Sequence, residues 1–94
     1  MSDWHVDVPE RLFEEFAHLS GAGLRAVHEL LAQLVTDPRD PASSTEPVAG
    51  AELRRITTRP TTDTGDRITL LYRVHAPSAD QAGRIEIIFM VSGP

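Results

Sequence analysis

The alternation of side chains along residues 67–75 is the feature that most constrains the fold. Every second side chain in this segment is apolar or aromatic, and the set is Ile68, Leu70, Tyr72 and Val74. The intervening set is mostly charged or polar around one leucine: Arg67, Thr69, Leu71, Arg73 and His75. A period of two is typical of a β-strand with one face toward a core. The second face is either ordinary solvated surface or a surface that binds an anion.

Two amphipathic helices are predicted before this strand. Residues 4–8 alternate and predict a first strand, after which Asp7 and Glu10 have capping-box spacing around Pro9. Apolar side chains recur at helical spacing through residues 12–19 and again through residues 24–35. The turn at residues 20–23 between them predicts an antiparallel helical hairpin.

The rest of the chain predicts a loop and three strands. Residues 37–50 contain three prolines and small polar side chains, as expected of an extended loop. Alternating or apolar segments follow at residues 52–59, 67–75 and 84–92, joined by short polar connections that favour antiparallel pairing. A chain of 94 residues suits one domain. We therefore expect a single α+β domain over residues 1–94, in the order β-α-α-β-β-β.

Composition excludes several classes of function. The net charge is -5, which disfavours strong non-specific binding to nucleic acid, although a local arginine cluster remains compatible with it. The sequence has no cysteine, no secretory signal and no apolar run of transmembrane length, so we expect a cytoplasmic protein that makes no membrane contact. The four histidines fall on four different predicted elements, and no phosphate-binding glycine loop is present. We expect neither a metal nor a cofactor.

Four strings, taken in order, resemble the RelE/ParE superfamily of bacterial type II toxins. They are L-x-x-L-V-x-D-P at residues 31–38, L-R-R-I at 53–56, R-I-x-L-L-Y-R-V at 67–74 and the closing I-E-I-I-F-M-V at 85–91. The resemblance spans nearly the whole chain. It implies a twisted antiparallel sheet with the helical hairpin packed on one face. It also implies a cognate antitoxin protein as partner.

The resemblance leaves the activity open between two modes. RelE-like members are ribosome-dependent endoribonucleases that cleave mRNA, whereas ParE-like members poison DNA gyrase and are not enzymes of this kind. RelE-like nucleases usually carry an arginine three residues before the tyrosine of the L-Y-R-V-like string, and here that position is Thr69. No basic residue follows Arg84, where further catalytic groups are usual.

Other residues can replace the missing nuclease groups. The candidate catalytic residues are Arg55, Arg67, Arg73 and His75, with the arginines stabilising phosphate charge and the histidine acting as acid or base. The absence of an arginine at position 69 and of basic residues after Arg84 favours a non-nuclease or weakened toxin. An active endoribonuclease and a non-toxic interaction module that retains the fold are the alternatives.

Overall fold

A computed structural model describes residues 4–94 of the chain. The protein is α+β, with two α-helices and a five-stranded mixed sheet. The elements are β1 (Trp4–Asp7), a 3-10 turn (Glu10–Leu12), α1 (Phe13–Ala17), α2 (Gly21–Thr36), β2 (Ser44–Thr45), β3 (Glu52–Thr57), β4 (Arg67–His75) and β5 (Gly83–Gly93). Within residues 4–94, no helix combines the length and the apolar character needed to cross a membrane.

The strands lie in the order β1-β5-β4-β3-β2. β1 is parallel to β5, whereas the other three pairs are antiparallel, so the prediction of an antiparallel sheet is wrong for β1. A parallel pair needs a long crossover connection, which the chain supplies because both helices and three strands intervene between β1 and β5. The two-residue strand β2 lies within the segment predicted to be only a loop.

The first helical segment is shorter than its apolar spacing indicates. It consists of one 3-10 turn followed by the five-residue α1, in which no residue is buried. The predicted capping box does not form, because Asp7 ends β1 and its carboxylate accepts a hydrogen bond from Arg84 instead. Leu12 lies in the core and Phe16 and Leu19 pack against it, whereas Phe13 is 56% exposed.

α2 covers one face of the sheet. Ser20 caps it by accepting a hydrogen bond from the backbone N–H of Gly23, at 3.0 Å. The buried side chains Val27, Leu30 and Leu34 recur at helical spacing and share one core with the sheet. The sheet residues of this core include the whole alternating set of β4, Ile68, Leu70, Tyr72 and Val74, and Ile85 and Ile87 of β5. The predicted inward face of β4 is therefore confirmed.

Tyr72 links the sheet to the end of α2. Its side chain is fully buried, and its hydroxyl donates a hydrogen bond of 2.7 Å to the carbonyl oxygen of Pro38. Burial raises the pKa of this phenol, so the hydroxyl keeps its proton and remains a donor.

Tyr72→Phe is expected to lower the free energy of unfolding by about 1–2 kcal/mol, because the Pro38 carbonyl loses its buried donor while the ring still fills its space. Urea denaturation of wild type and variant measures this difference. An unchanged urea midpoint would show that water reaches the Pro38 carbonyl and replaces the hydroxyl.

Candidate functional site

The face of the sheet opposite α2 is open, and we call it the open face. On β4 it carries the second alternating set, from Arg67 to His75, of which Arg67 is exposed and the others are half-buried. On β5 a bulge shifts the alternation: Leu71 pairs with Phe89 and Tyr72 with Ile87, which leaves Ile88 as the extra residue. Arg84 and Glu86 before the bulge, and Phe89 and Val91 after it, therefore share the open face.

The centre of the open face is apolar. Phe89 lies directly across from Leu71, and Val91 lies across from Thr69. Phe89 is 53% exposed and Val91 48% exposed, which is unusual for large apolar side chains on neighbouring positions. Exposed apolar clusters of this kind mark sites of interaction with other macromolecules.

A charged network lies at the β1 end of the open face, and we call it the charge network. Arg84 Nη1 donates to Asp7 Oδ2 at 3.0 Å, and Arg84 Nη2 lies 3.3 Å from Nε2 of His75. The same His75 nitrogen lies 2.9 Å from Glu86 Oε1. The charge network thus runs from β1 across β5 to β4 through Asp7, Arg84, His75 and Glu86.

Glu86 is the carboxylate on which the charge network converges. Its hydrogen bond with His75 is the largest cause that lowers the pKa of this carboxyl, and the positive charges of Arg84 and Arg73 lower it further. Arg73 faces Glu86 directly across the β4–β5 pair. Glu86 is therefore ionised at neutral pH and accepts hydrogen bonds only.

The four predicted catalytic residues do not form one cluster. Arg73 and His75 stand two residues apart on the same face of β4, beside Glu86. Arg67 is at the opposite end of β4, eight residues or about 26 Å from His75. Arg55 lies across from Leu71 and forms an ion pair of 2.9 Å with Glu46. Only Arg73 and His75 are brought together.

Sequence reasoning missed Asp7, Arg84 and Glu86. Arg84 and Glu86 alternate on the last predicted strand, and that spacing is the signal in the sequence. Their proximity to His75 depends on the β4–β5 register, and that of Asp7 on the parallel β1–β5 pair. Across residues 4–94, no three histidine, aspartate or glutamate side chains are grouped so as to hold a metal ion.

A groove of about 820 Å3 lies away from the charge network, between α2 and the end of β3. Its lining combines the small residues Ala22 and Ala26 of α2 with Thr57, the last residue of β3, and Arg59 just beyond it. Its lining includes none of the residues Arg73, His75, Arg84 and Glu86. The candidate residues therefore lie on a sheet surface outside this groove, and such a surface suits a macromolecular ligand better than a small molecule.

Comparisons of this chain with models of known protein families, with curated proteins and with solved structures find no match.

Proposed function

We propose that this protein is the toxin component of a type II toxin–antitoxin system, of the RelE/ParE-like class, and that it acts in the cytoplasm by binding a protein target. In this proposal a cognate antitoxin neutralises it, and its two helices form the hairpin of that class over the sheet. The observation that carries the binding mode is the exposed apolar centre of the open face at Phe89 and Val91. DNA gyrase is the target that the ParE-like mode implies.

The charges around the apolar centre favour protein binding over RNA cleavage. RNA binding depends on cations that neutralise phosphates. On the open face Arg55 is paired with Glu46, Arg84 with Asp7, and Arg73 stands beside Glu86. Because two of these cations are ion-paired, the third faces a carboxylate across the strand pair and the chain carries a charge of -5, the face offers little net positive potential to a nucleic acid apart from Arg67 at the far end of β4.

Expression of the wild-type protein in a bacterium is expected to arrest growth while transcripts stay intact and the DNA-damage response is induced. Phe89→Ser is expected to abolish the arrest, because it removes the largest exposed apolar side chain at the centre of the open face. Growth curves, transcript integrity and a damage reporter measure these effects at matched protein levels.

Phe13→Ser is the matched control for Phe89→Ser. Phe13 is 56% exposed, close to the 53% of Phe89, but it lies in α1 rather than on the open face. The Phe13 variant should arrest growth like wild type. Loss of toxicity in both variants, cleaved transcripts, or wild-type expression without any effect on growth would each overturn the proposal, and the last result would favour a non-toxic interaction module.

A ribosome-dependent mRNA endoribonuclease is the second candidate. The observation that favours it is the grouping of an imidazole, a carboxylate and two guanidinium groups at His75, Glu86, Arg73 and Arg84. Such a set supplies an acid or base beside cations that stabilise a charged phosphate.

In this second candidate, His75→Ala and Arg73→Ala should each lower cleavage of ribosome-bound mRNA by about 100-fold. Arg67→Ala should leave cleavage unchanged, because Arg67 lies at the far end of β4. Cleavage assays with purified ribosomes measure both effects. Absence of cleavage by the wild-type protein excludes this candidate.

A further inference from the structure

The second half of β5 is an unpaired edge of the sheet. β5 runs from Gly83 to Gly93 and lies between β1 and β4, but β1 pairs only with residues 83–86. On the other side, β4 pairs with β5 as far as Gly93. Within the part of the chain that the structure describes, no strand therefore lies beside residues 88–92 on the β1 side, and we call this stretch the free edge.

The ladder decides which backbone groups the free edge offers. The carbonyl oxygen of Ile68 accepts a hydrogen bond from a backbone N–H just beyond β3, so the backbone groups of Ile68 point toward β3. Because this direction alternates along a strand, the backbone groups of Thr69 point toward β5, where Val91 is the hydrogen-bonded partner. Those of Met90 and Ser92 consequently point away from β4. Each of these two residues offers an N–H donor and a C=O acceptor to a further strand.

The side chains of the free edge lack the features that protect exposed strands. Edge strands that avoid pairing carry charged residues or proline, or are very short. Residues 87–92 read I-I-F-M-V-S and contain neither a charge nor a proline. On the open face the free edge carries Phe89 and Val91, which are 53% and 48% exposed. The free edge thus has the composition of a strand that pairs with another strand.

The free edge is complementary to a second copy of itself. A two-fold axis through Met90, perpendicular to the sheet, sets two free edges antiparallel, and the two Met90 residues then form a hydrogen-bonded pair. Phe89 of one copy lies opposite Val91 of the other, and both side chains stay on the open face because opposite residues share a face. The Cβ atoms of such a pair are about 4.5–5.5 Å apart, so each exposed aromatic ring gains a β-branched neighbour.

We propose that two copies of this protein associate through their free edges and form one continuous sheet of ten strands, five from each copy. A two-fold axis at Val91 instead of Met90 sets Phe89 opposite Gly93, where the ring gains no apolar neighbour. The pairing joins the two open faces side by side without covering them, so the apolar centre becomes larger and stays accessible. This inference goes beyond the proposed function and does not depend on it.

Sedimentation equilibrium of the full chain between about 10 μM and 1 mM tests the association. So short an edge buries less area than a standard interface, and we expect a dissociation constant of about 10–100 μM. The apparent mass should rise from one chain toward two across this range. The amide of Met90 should also exchange its hydrogen several times more slowly at the highest concentration, because its N–H gains an acceptor only in the dimer.

Val91→Lys should weaken the association by at least about tenfold, because it places an ammonium group beside Phe89 of the second copy, and lysine is a residue that keeps natural sheet edges unpaired. Val48→Lys is the matched control. Val48 is also 48% exposed, but it lies in the loop between β2 and β3. The Val48 variant should associate like wild type.

Cysteine pairing tests the register, and the chain has no cysteine of its own. Opposite residues of a non-hydrogen-bonded antiparallel pair are close enough to form a disulfide. A mixture of the Phe89→Cys and Val91→Cys variants should therefore give a crosslinked dimer under mild oxidation, whereas neither variant should do so alone.

The proposal is overturned by a protein that stays monomeric at the highest concentration, or by a dimer that Val91→Lys leaves unchanged. A crosslink formed by Val91→Cys alone would overturn it too, because the two-fold axis would then not pass through Met90. None of these outcomes involves toxicity, so the association and the proposed function fail or stand separately.

Discussion

Leu34→Ala is expected to lower the free energy of unfolding by about 3–4 kcal/mol. Leu34 is completely buried on the inner side of α2, in the same core cluster as Ile56 and Tyr72. Truncation removes apolar area from the core and leaves a cavity that the sheet on one side and the helix on the other cannot close. In a 94-residue domain this is a large share of the total stability.

Leu24→Ala is the matched control for this experiment. It makes the same change in the same helix at a half-buried position outside the core cluster. Urea denaturation should show a loss at least twice as large for Leu34 as for Leu24, since both variants share the change in helix propensity. Equal losses would contradict the packing of α2 on the sheet as described.

The elements that the sequence predicts best are those in which the local pattern and the tertiary environment agree. Along β4 the period of two separates a buried set from an open set, and the structure buries all four predicted residues. In α2 the cap at Ser20, the apolar spacing and the stop before Pro38 all favour the same 16-residue helix. Each signal there comes from within the segment itself.

The predictions that fail depend on contacts between distant segments. Asp7 has the spacing of a capping residue, but pairing with Arg84 across the β1–β5 ladder uses its carboxylate for the sheet. The parallel orientation of β1 has no local signal, because it depends on where the chain returns after both helices.

The candidate site has the same limit. Alternation places Arg67 and His75 on one face of β4, but their spacing of eight residues puts them about 26 Å apart, too far to act in one site. The neighbours of His75 are set by the β4–β5 register, and the bulge at Ile88 decides which residues of β5 face it and which expose Phe89. The sequence therefore predicts which residues share a face of β4, but it does not predict which side chains of the neighbouring strands lie beside them.

Gly83→Ala is expected to destabilise the fold by about 1–3 kcal/mol. Gly83 pairs with Trp4 across the parallel ladder, and a Cβ added there would lie 2.5 Å from both Cε3 and Cζ3 of the indole ring. A rigid ring cannot bend away, so Trp4 or β1 must shift. Trp4 is the single tryptophan of the chain, and its fluorescence spectrum should change with the substitution.

Gly93→Ala separates this clash from the general effect of removing a glycine. Gly93 lies in the same strand, and a Cβ there would meet nothing within 4 Å. Neither glycine has a positive φ, so alanine is compatible with the backbone at both positions.

Gly83→Ala and Gly93→Ala restrict the unfolded chain equally, and this effect stabilises the protein by about 0.4–1 kcal/mol. The difference between the two variants in urea unfolding therefore measures the contact with Trp4 alone. If both substitutions stabilise the protein, the indole does not lie against Gly83, and the parallel docking of β1 on β5 is wrong.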